Sequence, residues 1–259
     1  MDLGLQGRRA IVTASSAGLG YACAAQLAAA GASVVINGRD ERALAEAAER
    51  LRRETDADVQ AVAGEVAEPA VQQALVAAAG EVDILVNNNG GPPFRDFREV
   101  DREALLKGVT ANMATPIELI QRVIDGMIER RFGRIVNITS FSVKMPIAGL
   151  DLSSGARAGL TGFLAGVARD VAHDNVTINF MMPGYFATDR LRSLHAREAE
   201  GRGVPEETVA IEGASRIPAG RFGDPDEFGA ACAFLCSQHA GYITGQSLLI
   251  DGGAYPGIL

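Results

Sequence analysis

The chain has 259 residues, 47% of them hydrophobic and 30 of them glycine, which is enough for a sizeable core and within the length one α/β domain covers. Its net charge of −8 disfavours nucleic acid or an anionic membrane as a partner. The three cysteines, at 23, 232 and 236, argue against a disulfide framework and for a reducing, cytoplasmic setting, and no apolar run approaches the ~20 residues that span a bilayer.

The opening MDLGLQGRRAIVTAS is unlike a secretory signal, because its apolar run ends within a few residues in a Gly-rich turn. From there, strand-like and helix-like runs alternate. Arg9–Thr13 reads as a strand, followed after a Gly turn by an Ala-rich helix over Tyr21–Ala30. Ser33–Asn37 is a second strand, with the amphipathic Glu41–Arg53 behind it; Val59–Ala63 is a third, with Ala70–Ala79. Asp83–Val86 is a fourth strand, and a long helical stretch then reaches Arg131. Arg134–Ile138 is a fifth, followed by a helix over Ala156–His173, and Thr177–Met181 is a sixth. A late helix over Asp226–Leu235 and a last strand over Ser247–Ile250 close the pattern. Repeated βα units of this kind predict a single-domain α/β Rossmann fold, a doubly wound parallel sheet with helices on both faces. Runs such as Ile84-Leu85-Val86, apolar at every position, suit strands buried on both sides. No linker, repeat or low-complexity tract divides residues 1–259. Asp189–Ser215 stands apart as a polar, charged insert after the sixth strand. It reads either as a solvated excursion or as a substrate flap, since ligands bind beyond the carboxyl ends of such strands.

Two features point to a dinucleotide. Thr13-Ala14-Ser15-Ser16-Ala17-Gly18-Leu19-Gly20 follows the first strand and opens the first helix, so its glycines admit a pyrophosphate and the helix N-terminus offers unpaired N–H groups. The second strand ends Ile36-Asn37-Gly38-Arg39. Gly38 supplies no carboxylate for a ribose 2′-hydroxyl, whereas Arg39 can pair with a 2′-phosphate, which predicts NADP rather than NAD. Cys232 and Cys236 lie one helical turn apart without neighbouring ligands and read as buried small apolar residues, so no metal is expected.

These motifs, with others along the whole chain, resemble those of the short-chain dehydrogenases/reductases. Thr13–Gly20 resembles the family's T-G-x-x-x-G-x-G turn, with Ala14 in place of the first glycine. Glu65-Val66 falls where the family has Asp-Val facing the adenine, and Asn87-Asn88-Asn89-Gly90 resembles its N-N-A-G turn. Pro183-Gly184 with Thr188 resembles its P-G-x-x-x-T segment beside the nicotinamide. The tail is similar too, through Gly220-Arg221-Phe222-Gly223, Pro225, Tyr242-Ile243-Thr244-Gly245 and Asp251-Gly252-Gly253. The resemblance implies hydride transfer between a nicotinamide and a carbonyl/alcohol pair, such as a 3-oxoacyl thioester or a small ketone. It also implies a homotetramer with the late helix and last strand at an interface, where the apolar tail Gly253–Leu259 would be buried by a partner subunit.

The family's catalytic set is Asn, Ser, Tyr and Lys. Asn112 and Ser140 match the first two, but the Tyr slot, thirteen residues after Ser140, holds Ser153, and the Lys slot holds Arg157. The i,i+4 spacing keeps both on one helix face, so Arg157 is expected to reach toward a ribose and the Ser153 hydroxyl. The chemistry does not transfer as easily. A serine hydroxyl is a far weaker acid than a phenol, and a guanidinium stabilises an oxyanion without relaying a proton. Three replacement donors are open: Lys144, four residues after Ser140; Tyr185, directly after Pro183-Gly184; or a water held by Asn112 and Ser140. Phe141–Leu152, Tyr185–Phe186 and the insert shape the pocket. His173, His195 and His239 are weaker candidates, read as helix-end or surface residues, with His195 able to touch substrate. The leading reading is an NADP-dependent oxidoreductase acting on a small molecule. A dehydration or isomerisation in the same pocket, and an NADP(H)-binding pseudoenzyme, remain the competing ones.

Overall fold

The computed structural model describes residues 1–91 and 94–257. Seven parallel strands form one sheet: β1 (Arg9–Val12), β2 (Ser33–Gly38), β3 (Val59–Ala63), β4 (Ile84–Asn87), β5 (Gly133–Ile138), β6 (Val176–Pro183) and β7 (Ser247–Ile250). Their order is β3-β2-β1-β4-β5-β6-β7, so the chain returns to the sheet centre between β1 and β4. That reversal opens a crevice at the carboxyl ends of the two strands, where a doubly wound sheet binds its ligand.

Successive residues of one strand feed opposite cores. Ala10 and Val12 pack with Leu27, Leu44 and Phe228 on one face. Ile11, between them, packs with Leu75, Leu160 and Phe180 on the other. The first face is covered by α1 (Gly18–Ala29), α2 (Glu41–Thr55) and α9 (Pro225–Cys236), the second by α3 (Pro69–Ala79), α5 (Thr115–Glu129) and α6 (Asp151–Asp170). α1 and α9 approach so closely that a Cβ at Gly229 would lie 2.4 Å from the Ala22 carbonyl oxygen. Cys23, Cys232 and Cys236 are all buried there as free thiols.

The stretch before Arg131 is not one helix. It comprises a short 3₁₀ turn at Phe97–Glu99, α4 (Arg102–Val109), a π-helical turn at Thr110–Ala114, and α5. The extra residue of the π-turn carries Asn112, and α6 packs across this turn with the Met113 sulfur near Gly159. α6 begins at Asp151, five residues before the expected Ala156, and so takes in both Ser153 and Arg157. The insert forms two helices, α7 (Asp189–Arg202) and α8 (Glu206–Ser215), tied by Arg202 donating to both Glu198 and Glu212. Of the tail expected to await a partner, the last two residues lie outside those described. Tyr255 is half-buried, with its backbone N–H donating to Asp251.

One buried cation ties the start of β5 to the residue after α9 and to the turn before β6. Arg134, 1% exposed, donates through Nε to the Ser237 carbonyl and through Nη1 to the Asn175 and Gly133 carbonyls. It also stacks 4.4 Å from the Phe132 ring centroid. Arg134→Met keeps the bulk but strands those carbonyls, and should lower unfolding stability by about 3 kcal/mol or more, read from the urea midpoint.

Candidate active site

The turn between β1 and α1 is held by side chains that hydrogen-bond to the backbone around it. Thr13 Oγ1 donates to the Asn88 carbonyl at 2.7 Å and accepts from the Asn88 N–H at 2.8 Å. Ser15 Oγ donates to the Val12 carbonyl and accepts from the Asn37 N–H. Both residues are buried and shape the turn. Asn37 completes the frame: its amide donates to the carbonyls of Val62 and Gly64, and its Oδ1 accepts from Ala14 N–H. Asn88 donates through Nδ2 to the Ala14 carbonyl at 2.9 Å, which requires a glycine at 20, since a Cβ there would sit 2.6 Å from that nitrogen.

Ala14 adopts φ +43°, the left-handed conformation that the family's first glycine takes without cost. A cavity of 390 Å³ opens beside it. Its wall contains Ala14, Gly18 and Leu19 from the first turn, Asn88, Asn89 and Gly90 after β4, and Pro183, Gly184 and Thr188 after β6. These are the positions at which an extended dinucleotide would lie, with the N-terminus of α1 toward its pyrophosphate. Beyond the turn, Ser16 packs over Gly38, at whose position a Cβ would meet Ser16 Oγ at 3.1 Å. No carboxylate occupies the end of β2. Arg39 is 80% exposed there, with Nη1 3.6 Å from a carboxylate oxygen of Glu65. Glu65 thus holds Arg39 at the site's edge, while Val66 beside it is buried in the core. An exposed ion pair of this kind is weak enough to yield to a phosphate.

The opposite wall is formed by Ser140, Phe141, Ile147 and Leu150, with Ser153 and Arg157 from α6. Tyr185, Phe186, Asp189, Arg190, Leu191 and Leu194 close it, so the start of α7 lies on the cavity. Ser140 caps the short turn at Phe141–Val143 by accepting from Ser142 N–H. Ser154 continues this hydroxyl cluster by donating to Ser142 Oγ at 2.9 Å.

Arg157 is buried, 7% exposed. Its Nε donates to Ser153 Oγ at 3.1 Å, Nη1 to the Ile138 carbonyl at 2.5 Å and Nη2 to the Asn89 carbonyl at 3.2 Å. The expected Ser153 contact is present, and two further N–H groups go to the carbonyls of Ile138, at the end of β5, and Asn89, after β4. Burial, with a smaller contribution from the charge of nearby Arg190, pushes its pKa down to about 10. Because the unfolded chain holds this proton more tightly than the folded one, the charge opposes folding below about pH 10, and that cost fades as pH rises from there toward the ordinary arginine value.

The replacement donors are not equally placed. Lys144 is exposed, outside the cavity wall, with Nζ 5.9 Å from the Tyr255 ring centroid. Tyr185 is in the wall, its ring 5.1 Å edge-on from Phe141, and burial raises its pKa, making it a weaker acid than an ordinary phenol. Asn112 is buried, donates to the Gly108 carbonyl, and leaves Oδ1 without a partner among the described residues. His195 stacks on Phe222, His173 pairs with Asp174, and His239 meets the Asp2 carbonyl, all outside the cavity wall. Arg190 and Asn37 escaped the sequence reading. Asn37 is signalled only by being polar within an apolar strand.

A doubly wound sheet with this turn, this crevice and these slots defines a dinucleotide-binding fold of the short-chain type, and the chain belongs to the short-chain dehydrogenase/reductase family. The family model for enoyl-(acyl carrier protein) reductases matches residues 13–255. The 3-oxoacyl-[acyl-carrier-protein] reductase FabG of Vibrio cholerae is 34% identical over 253 residues, which cover 98% of this chain and 99% of that one. The crystal structure of L-sorbose reductase from Gluconobacter frateurii, complexed with NADPH and L-sorbose, superposes with a TM-score of 0.94 at 29% identity over 100% of both chains. That of YwfH, an NADPH-dependent reductase involved in bacilysin biosynthesis, superposes with a TM-score of 0.91 at 30% identity over 98% of this chain and 100% of that one.

Glycine at position 14 removes the left-handed strain. Ala14→Gly should therefore stabilise the protein by about 1 kcal/mol, a rise in Tm of roughly 2–4 °C by calorimetry.

Proposed function

We propose that the protein is an NADP-dependent oxidoreductase that interconverts a small carbonyl compound and its alcohol. The observation that carries this reading is the Arg157–Ser153 pair in the wall of the cavity that also contains the glycine turn. NADPH, when bound, supplies the hydride from C4 of its nicotinamide. Gly18, Leu19, Asn89, Gly90, Pro183, Gly184 and Thr188 would hold it, with Arg39 on the 2′-phosphate. The homologues with NADPH in their structures support that choice of cofactor over NAD.

The chain's own residues then act on the carbonyl oxygen. Ser153 Oγ accepts from the Arg157 Nε–H, which leaves its own proton free to donate to that oxygen. As hydride reaches the carbonyl carbon, negative charge gathers on the oxygen. A fixed guanidinium one bond behind the donating hydroxyl stabilises that charge without reorganising. Neither group gives up its proton, so the alkoxide takes one from water, and one carbonyl, one NADPH and one proton become one alcohol and one NADP⁺. Asn112 and Ser140 are the polar groups suited to holding such a water. The alternative of a nucleotide-binding pseudoenzyme is favoured by one observation: the slots of the family's Tyr and Lys hold Ser153 and Arg157. Assembly as a homotetramer would cover Phe234 of α9 and Leu248 of β7, both partly exposed in the single chain.

Two measurements test the reading. Titration followed by reduced-nicotinamide fluorescence should give tighter binding of NADPH than of NADH. Arg39→Ala should erase about tenfold or more of that preference, whereas binding of neither cofactor would sink the proposal. Arg157 stays charged below about pH 10, and the raised Tyr185 stays protonated there, so no cavity-wall donor of these two titrates near neutrality. The rate of carbonyl reduction should accordingly be flat between about pH 6 and 9, and Ser153→Ala should lower kcat by about tenfold to a hundredfold. A sigmoid within that range would point to another donor, Lys144 first.

A further inference from the structure

The cavity carries more positive charge than the reduction requires. Among the described residues Arg157 is buried without a carboxylate partner, and its three hydrogen bonds there leave two of the five guanidinium N–H groups unspent. Arg190, second residue of α7, reaches across the cavity to the loop after β4: a Cβ at Gly91 would lie 2.9 Å from its Nη2. Among the described residues Arg190 makes no hydrogen bond or ion pair. The single carboxylate in the described cavity wall, Asp189, is paired instead with Arg192. In a chain of net charge −8, two guanidinium groups on one cavity wall without a carboxylate partner among the described residues are a local excess of positive charge. A cluster of this kind opposes folding and is offset when an anion binds between its members.

We propose that this cavity selects substrates bearing a carboxylate, an oxo acid with an apolar body, and that Arg190 is the residue that binds the carboxylate. The inference rests on the carbonyl-reduction reading above and narrows it to a substrate class. The cofactor's own anions have donors elsewhere, at the N-terminus of α1 and at Arg39. Arg190 instead lies over Gly91, with the apolar side chains of Phe94, Ile147, Leu150 and Leu194 in the same wall for the rest of the substrate. A planar guanidinium suits a carboxylate because it presents two parallel N–H donors. Arg157 adds charge from behind, which also favours a carbonyl placed close to the carboxylate.

The test separates the two readings. Phenylacetate and phenylacetamide, which cannot be reduced, are titrated calorimetrically into the NADP⁺-saturated protein. The carboxylate should bind about tenfold or more tightly than the amide. Arg190→Ala should remove that preference and Arg190→Lys should restore part of it, with the Kd for NADPH shifting much less than that for phenylacetate. Equal binding of acid and amide by the unaltered protein would overturn the proposal. So would an Arg190→Ala variant that weakens NADPH as much as phenylacetate, because the anion would then be the cofactor's own phosphate. In parallel, NADPH consumption is followed with benzoylformate and its methyl ester. A carboxylate preference in binding with neither compound reduced would leave the anion site standing and remove the reductase reading. Equal kcat/KM for acid and ester would do the reverse.

Discussion

A guanidinium buried at the carboxyl ends of β4 and β5, with no carboxylate to neutralise it among the described residues, is the constraint on which this site depends. Arg157 joins three elements that sequence keeps far apart: α6 through Ser153, the end of β5 through Ile138, and the turn after β4 through Asn89. Each acceptor is a carbonyl or hydroxyl, so the charge is solvated by dipoles instead of being cancelled. That arrangement keeps a full positive charge beside the cavity, where a carboxylate partner would have quenched it. It also fixes Asn89, whose amide in turn donates to the Ala111 carbonyl in the π-turn that carries Asn112. The cation therefore positions the walls of the cavity as well as charging them.

The other half of the site depends on polar side chains turned inward. Thr13, Ser15, Asn37 and Asn88 all spend their hydrogen bonds on the backbone of the turns after β1, β3 and β4. Loops at strand ends carry orphan carbonyl and N–H groups, and burying them unpaired would cost more than the packing returns. These four side chains satisfy them. The result is a rigid crevice floor in which Ala14 can be held at a left-handed φ despite its methyl group, because neighbours on both sides determine its conformation.

How much of this was legible in the sequence follows the range of the interactions. The βα alternation could be read directly, since strands buried on both faces are apolar at every position, as at Ile84–Val86. The i,i+4 relation of Ser153 and Arg157 was readable for the same local reason. The start of α6 was misplaced, because Ser153, Ser154 and Gly155 are poor helix formers and only packing against α4 and the π-turn carries the helix back to Asp151. The π-turn itself left no pattern, as one extra residue in a helix does not disturb the apolar period enough to be seen. The insert reads as polar because α7 and α8 bury few residues, Leu191, Ala199 and Val209 among them. The direction of Lys144 was beyond reach, since it depends on a three-residue turn that Ser140 caps.

A serine hydroxyl held by a guanidinium, as Ser153 is by Arg157, offers a permanent field and no easy proton path. A lysine beside a phenol is useful because both can titrate. An arginine beside a serine hydroxyl does not titrate near neutrality, and what it offers is charge with a fixed direction. The two substitutions are chemically consistent with each other: a weak acid is of use here only as a hydrogen-bond donor, and a donor is strengthened when a cation donates to its oxygen. The same logic fits the lack of a carboxylate beside Arg157 among the described residues. Neutralising the guanidinium would remove that field, so burial without a counterion, costly to the fold, is what keeps positive charge on the cavity wall.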